Sequence, residues 1–168
     1  MILPADMLRR VLGAAIALVV AASLLPAPAE ARIVVGRSIA GIELGMTRKG
    51  VRHRLGSPTR VVKLGEDPSD PHQQTIWIFK HALTVSFQQD GPTVDSVLTR
   101  STAERTKSGI RDGSTLNQVK RRVPSAHCSR FGCQVGSGRA GAPTTYFGTK
   151  DESRVAYISL SRIASISS

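Results

Sequence analysis

Two segments of this 168-residue chain repeat one another at a fixed spacing, and that repeat limits the fold more than any other feature. Gly41-Ile42-Glu43-Leu44-Gly45-Met46-Thr47 aligns with Gly109-Ile110-Arg111-Asp112-Gly113-Ser114-Thr115. The same 68-residue spacing brings Val51 onto Val119, Arg52 onto Lys120, Arg54 onto Arg122 and Leu55 onto Val123. Each copy reads as a helix start. Gly45 and Gly113 permit a tight turn at positive φ, and Thr47 and Thr115 are N-cap residues whose hydroxyls accept from free amides of the first turn. Gln118 completes a capping box in the second copy. Val51 and Leu55, like Val119 and Val123, lie four apart, so each short helix buries one face. Gly56-Ser57-Pro58 ends the first helix and Pro124 the second.

After the first helix, apolar runs predict strands at 60–64, 75–79, 83–87 and 94–99. The third alternates Leu83, Val85 and Phe87 against Thr84 and Ser86, the period of a half-buried strand, and Asp90-Gly91-Pro92 is a turn signal. The second half offers strands at 133–135, 144–147 and 155–160. The expected class is therefore α+β, with two tandem repeats, each a short helix packed on a three- to four-stranded antiparallel sheet. The boundaries are a signal peptide at 1–31, a first αββββ repeat at 32–100, and a second, less regular αβββ repeat with a small disulfide loop at 101–168. Half a chain of this length is only marginally stable alone, so the halves should form one unit.

The N-terminus reads as an address. Arg9 and Arg10 supply positive charge, residues 11–25 are apolar apart from Gly13 and Ser23, and Pro26 and Pro28 precede Ala29-Glu30-Ala31. That is the three-part secretory pattern, with cleavage expected before Arg32. A helix over the apolar run would reach only about 22 Å, short of the ~30 Å hydrocarbon core, so no stable transmembrane anchor is expected after cleavage. The apolar run favours ordinary unfolded export over a twin-arginine route, although Arg9-Arg10 fits both. The expected location is secreted or extracytoplasmic, in the cell envelope. The two cysteines, Cys128 and Cys133, would then meet an oxidising compartment, and closing so short a loop contributes about 2 kcal/mol. Zinc wants four ligands at recognisable spacings, which His127 beside Cys128 does not provide. No metal and no cofactor are expected.

The first copy, Gly41-Ile42-Glu43-Leu44-Gly45-Met46-Thr47 with Val51, Leu55, Gly56 and Pro58, resembles the G-M-T-x3-V-x3-L-G-x-P opening of a bacterial envelope family. That family includes the SmpA/OmlA lipoprotein of the barrel-assembly machine and the tandem-repeat β-lactamase inhibitory proteins. The resemblance implies a helix start followed by a three- or four-stranded antiparallel sheet. It speaks to fold more than to function, because its residues are caps, turns and core. This chain departs from the lipoprotein in lacking a lipidated cysteine at the cleavage point. It departs from the inhibitors, with their acidic, aromatic-rich sheet, in the short basic turn at Lys80-His81-Ala82 and in its few aromatics.

The formal charge of +11 belongs to the part after residue 31, because residues 1–31 contain as many acids as arginines. Such an excess attracts anionic partners. The candidate anion-binding residues are Arg48, Lys49, Arg52 and Arg54 on the first helix and Lys120, Arg121 and Arg122 on the second, while Lys80 and His81 form a candidate partner-contact turn. No aromatics are interleaved with these cations as nucleic-acid stacking requires, so nucleic acid is not an expected partner. Gly136-Ser137-Gly138-Arg139-Ala140-Gly141 matches a dinucleotide fingerprint by letter. The strand pattern that follows within a few residues leaves no helix to open from it, and a loop is expected. The stretch 66–72 reads as an acidic, proline-rich connector. No histidine stands in an i, i+4 pair and no serine or cysteine lies in a nucleophile motif, so no enzyme is expected. The chain is expected to be a non-enzymatic binding or envelope-associated module for a protein or anionic envelope component. An inhibitor of an exported enzyme and a binder of anionic wall or lipid polymer are the alternatives.

Overall fold

The computed structural model describes residues 32–65, 73–88 and 91–162, so the expected signal peptide and the acidic connector at 66–72 lie outside the described residues. The chain is α+β. Its described part contains helices α1 (Arg48–Leu55) and α2 (Leu116–Arg122) and eleven strands. Strands β1 (Ile33–Val34), β2 (Ser38–Ile39) and β3 (Ile42–Glu43) make a small antiparallel sheet. Strands β4 (Arg60–Leu64), β5 (Gln74–Phe79), β6 (Leu83–Gln88) and β7 (Val94–Thr99) follow α1. Strands β8 (His127–Ser129), β9 (Gly132–Val135), β10 (Pro143–Thr149) and β11 (Val155–Arg162) follow α2. These eight form one antiparallel sheet in the order β4-β5-β6-β7-β11-β10-β9-β8, so two four-stranded meanders meet where β7 pairs with β11.

The helix starts form as their local chemistry dictates. Thr47 Oγ1 accepts from the Gly50 amide. Thr115 Oγ1 accepts from the Gln118 amide while Gln118 Oε1 accepts from the Thr115 amide, which is a complete capping box. Gly45 and Gly113 sit at φ 84° and 83°. The same backbone bonds recur around each start. The Gly45 amide donates to Val94 O and the Gly113 amide to Val155 O, while the Arg48 amide donates to Pro92 O and the Leu116 amide to Ser153 O. Each helix start is thereby tied to the strand that closes its own meander.

Register assigns the two faces. One row of the core-facing side runs Val61, which is exposed on the edge strand, then Trp77, Val85, Val97, Leu160, Thr145 and Val135 across β4, β5, β6, β7, β11, β10 and β9. The next runs Phe79, Leu83, Thr99, Ile158, Phe147, Cys133 and Cys128. Val51 of α1, Val119 of α2 and Ile39 and Ile42 of the small sheet are fully buried in the same core. Burying each such side chain stabilises the fold by roughly 1.5–3 kcal/mol. Cys128 and Cys133 face one another across β8 and β9 and are disulfide-bonded. Strand β8 and the small sheet were not expected from the sequence. Strands of two or three residues are too short to show an alternation.

The polar segment 100–107 between the two meanders is half interior. Glu104 and Thr106 are buried, and the Ile33 amide donates to Arg105 O.

Candidate functional site

The strands present their other side chains on a second face, opposite the one on which α1, α2 and the small sheet pack. A row along this face runs Arg60, Ile78, Thr84, Leu98, Ser159, Tyr146, Gln134 and His127 across all eight strands. A second runs Val62, Ile76, Ser86, Ser96 and Ser161. Between Arg60 and His127 at the two edges, these rows contain hydroxyl, amide and apolar side chains and no charge. That is a notable exclusion in a chain of formal charge +11. Ile76, Ile78 and Leu98 are only half-buried, and so are Tyr146 and Tyr157.

The aromatic part of this face is built in the second meander. Tyr157 stands opposite Gly148, and a Cβ on Gly148 would collide with the Tyr157 ring at 2.1 Å. Tyr146 in the same way lies over Gly132, where a Cβ would come within 2.8 Å of its hydroxyl. The two glycines therefore leave the space that the tyrosine rings occupy, and the ring centroids are 6.0 Å apart with the planes inclined at 48°. The Tyr146 hydroxyl donates to Phe131 O at 2.8 Å. Desolvation, and secondarily the Tyr157 phenol, push the Tyr146 pKa above the ordinary phenol value.

That hydrogen bond leads to the β8–β9 turn, Arg130-Phe131. Phe131 is the most exposed large apolar side chain among the described residues at 58%, and the Arg130 guanidinium lies 4.6 Å from its ring centroid. The turn is fixed from three sides. The disulfide bridges the strands beside it, Phe131 O accepts from Tyr146 and from Thr149 Oγ1, and the Phe131 amide donates to Ser129 Oγ. A rigid aromatic and a guanidinium next to two tyrosines make up the residue types that dominate binding energy at protein interfaces. The sequence analysis did not single out Arg130, Phe131, Tyr146 or Tyr157. The spacing of Cys128 and Cys133 around a two-residue turn was the one local signal that could have drawn attention to Phe131.

The residues singled out from the sequence lie elsewhere. The guanidinium of Arg48 stands 4.8 Å from the Phe87 centroid and 5.9 Å from that of Trp77, and its Nε donates to Gly91 O. Arg52 stands 4.9 Å from the Trp77 centroid. Both roof the aromatic core beneath α1. Arg54 lies against Gly41, and Arg122 against Gly109 with its Nη1 donating to Ser108 O, so the 68-residue spacing extends to these contacts. Lys49, Lys120 and Arg121 are exposed on the helices. Lys80 and His81 are exposed on the β5–β6 turn, where His81 takes a left-handed conformation at φ 60°. Gly136 to Gly141 form a loop between β9 and β10. Arg111, Arg122 and Arg154, with Ser114 and Thr115, line an open cleft of about 610 Å³ beside α2, and Asp112 is its one acid.

Among the described residues, no helix is long and apolar enough to cross a membrane, and no group of three metal-ligating side chains occurs. No family model matches the sequence, and no curated protein matches it. Three solved structures are similar to the chain. An extracellular protein containing a SCP domain from Bacillus anthracis str. Ames is 7% identical, with a TM-score of 0.49 over 83% of this chain and 50% of that one. The chain thus spans half the length of that protein. YjgB, a DUF4309 family protein from Bacillus subtilis, is 12% identical, with a TM-score of 0.47 over 76% of this chain and 88% of that one. The uncharacterized protein yfeY from Escherichia coli is 10% identical, with a TM-score of 0.45 over 79% of this chain and 98% of that one.

Proposed function

We propose that the chain is an exported, non-enzymatic binding module, made by tandem duplication of one helix-plus-meander unit, that presents the open face of its second meander to a protein partner. The observation that carries this reading is the uncharged face in a strongly basic chain, with Tyr146, Tyr157 and the stapled Phe131 on one side of it. An anionic polymer is recognised by a cluster of cations, and the two long rows hold none between Arg60 and His127. An aromatic and hydroxyl-rich surface fits a protein surface instead. The secretory pattern at 1–31 and the disulfide support an extracytoplasmic location. The resemblance of the Gly41–Pro58 segment to the SmpA/OmlA and β-lactamase inhibitory proteins supports the duplication, and inhibition of an exported enzyme is one form that such binding takes.

The test uses the exported protein carrying a photo-crosslinking side chain at Tyr157 or, as a control, at Lys49. The expected outcome is one envelope partner captured from Tyr157 alone, retained at high salt and lost in Phe131→Ala. Capture from Lys49 but not Tyr157 sinks the proposed face.

The cleft of Arg111, Arg122 and Arg154 favours a second reading, an anionic envelope ligand. Binding of an anionic wall or lipid polymer that falls steeply as salt rises, and falls further in Arg154→Ala, would favour it.

A further inference from the structure

The two copies of the repeated unit carry different charges at the same place, where the helix start meets the strand that closes its meander. In the second copy this place is the cleft of about 610 Å³ beside α2. Arg111 takes the position that Glu43 has in the first copy, by the 68-residue spacing. Arg154, bridged to Thr115, takes the position of Thr93, bridged to Thr47. Glu43 is paired with Arg37, whereas none of Arg111, Arg122 and Arg154 pairs with a carboxylate among the described residues. With Asp112 as its one acid, the cleft keeps an excess of two positive charges. The corresponding cavity of the first copy, about 420 Å³ at Gly45 and Thr93, has Arg162 and Asp95 in its lining and no excess. Side chains make the second cleft a set of donors. Arg154 Nη1 donates to Gly113 O and Arg122 Nη1 to Ser108 O, which holds both groups and leaves further N–H donors on each. The hydroxyl oxygens of Ser114 and Thr115 already accept from the Arg111 and Gln118 amides, so each has its O–H proton left to donate. Donors of this kind with two surplus charges fit a dianion.

A second cavity adjoins the cleft. It has about 540 Å³, and Ile33, Val34, Val35, Val123 and Pro124 give it an apolar wall. Arg122 lines both cavities, and its bond to Ser108 O lies at their boundary, since Ser108 lines the apolar cavity and Gly109 the cationic one. Val34 is 47% exposed there. A cationic cavity that shares a side chain with an apolar one suits an amphiphile, whose head takes the charges and whose first tail carbons take the apolar wall. We propose that this double cavity binds a lipid headed by a phosphate monoester, with the phosphoryl oxygens held by Arg111, Arg122 and Arg154 and the tail over Val34, Val35 and Pro124. A monoester carries about two negative charges at neutral pH, which matches the excess in the cleft, and a diester carries one. Such a lipid is one form of the anionic envelope ligand in the second reading above, on which the inference rests.

The full chain, expressed in an exporting bacterial host, is titrated by calorimetry at neutral pH with soluble probes. These are glycerol 3-phosphate, polyglutamate, and the dihexanoyl forms of phosphatidic acid, phosphatidylglycerol and phosphatidylcholine below their micelle concentrations. Dihexanoyl phosphatidic acid should bind at least about tenfold tighter than glycerol 3-phosphate, the effect of burying about two methylenes. It should also bind tighter than the phosphatidylglycerol, and the phosphatidylcholine should not register. Arg111→Glu combined with Arg154→Thr, which restores the residues of the first copy, should weaken phosphatidic acid about a hundredfold, two charged contacts at about tenfold each. If the double variant does not fold, as its urea midpoint will show, Arg154→Thr alone should give the tenfold loss. Val34→Ser should weaken the lipid about threefold, close to the effect of one methylene, and leave glycerol 3-phosphate unchanged. Lys49→Ala on α1 should change neither. Equal affinity for the lipid and glycerol 3-phosphate overturns the lipid, and equal affinity for phosphatidylglycerol overturns the monoester; both leave an anionic ligand at the cleft. Arg154-dependent binding of polyglutamate alone does the same. No binding of any anion, or a loss in Lys49→Ala as large as in the double variant, overturns the inference and the second reading together. A dimer that Val34→Glu converts to monomer in sedimentation, without lipid binding, gives the apolar wall to a second copy and overturns the inference.

Discussion

The two meanders have the same strand order and similar helix starts, yet they place their aromatic residues on opposite sides. The first buries Trp77, Phe79 and Phe87, with Trp77 and Phe87 in edge contact at 4.8 Å and two guanidinium groups above them. The second buries Phe147 and leaves Phe131, Tyr146 and Tyr157 at the tip and on the open face. Burial of aromatic area is the largest single source of core stability. A half that turns its rings outward must be held by other means. The second half has them in a disulfide and a full capping box, where the first has a single cap bond and no cross-link. One half is stabilised from within, and the other is fastened at its ends, with Tyr146 and Tyr157 left on the open face.

The largest effect that separates the halves should come from Trp77→Ala. Emptying this site costs about 3–5 kcal/mol, whereas Phe131→Ala, at an exposed tip, should change stability by no more than about 0.5 kcal/mol. Urea denaturation measures both. A single shifted transition for Trp77→Ala means that the halves unfold together, as the β7–β11 pairing implies, and a second, unshifted transition would separate them.

Replacing both cysteines by serine should come next, at about 2 kcal/mol. It should weaken partner capture more than stability alone explains, because the Phe131 turn loses one of its restraints. Equal capture by the reduced and oxidised forms would remove the disulfide from the binding argument. Thr115→Ala should then cost about 1 kcal/mol or somewhat more, and Thr47→Ala somewhat less, since only the first breaks a reciprocal pair of bonds. Equal losses would show that the capping box adds nothing to a simple cap.

These contrasts differ in how far the sequence reveals them. Caps and turns are local, so Gly45-Met46-Thr47 and Gly113-Ser114-Thr115 identify both helix starts unaided, and alternation is enough for strands such as β6. The side of the sheet a residue occupies depends on register with strands far along the chain. Tyr146 becomes a surface residue only once it is paired with Ser159 and Gln134. The arginines carry the same lesson. Arg48 and Arg52 read as free cations until β5 and β6 bring Trp77 and Phe87 beneath them.

The smallest effect belongs to the turns that tie each helix start to its last strand. In the first half Arg48 Nε reaches Gly91 O. In the second, Asp151 Oδ1 accepts from the Ser153 and Arg154 amides while Arg154 Nη1 donates to Gly113 O. The Arg154 amide bond first, and then those of Ser153, hold the Asp151 pKa below the ordinary aspartate value of 3.8. A depressed carboxyl pKa contributes stability above the unfolded value and loses it as pH falls through the folded one. Asp151→Asn should therefore be slightly less stable than the parent at pH 7, and the two urea midpoints should converge as pH drops below that value. Arg48→Met, which removes the Arg48 Nε bond to Gly91 O and leaves the Asp151 bonds in place, should show no such convergence. If both variants track the parent in the same way, the turns are equivalent, and the second half owes its rigidity to the disulfide and the cap alone.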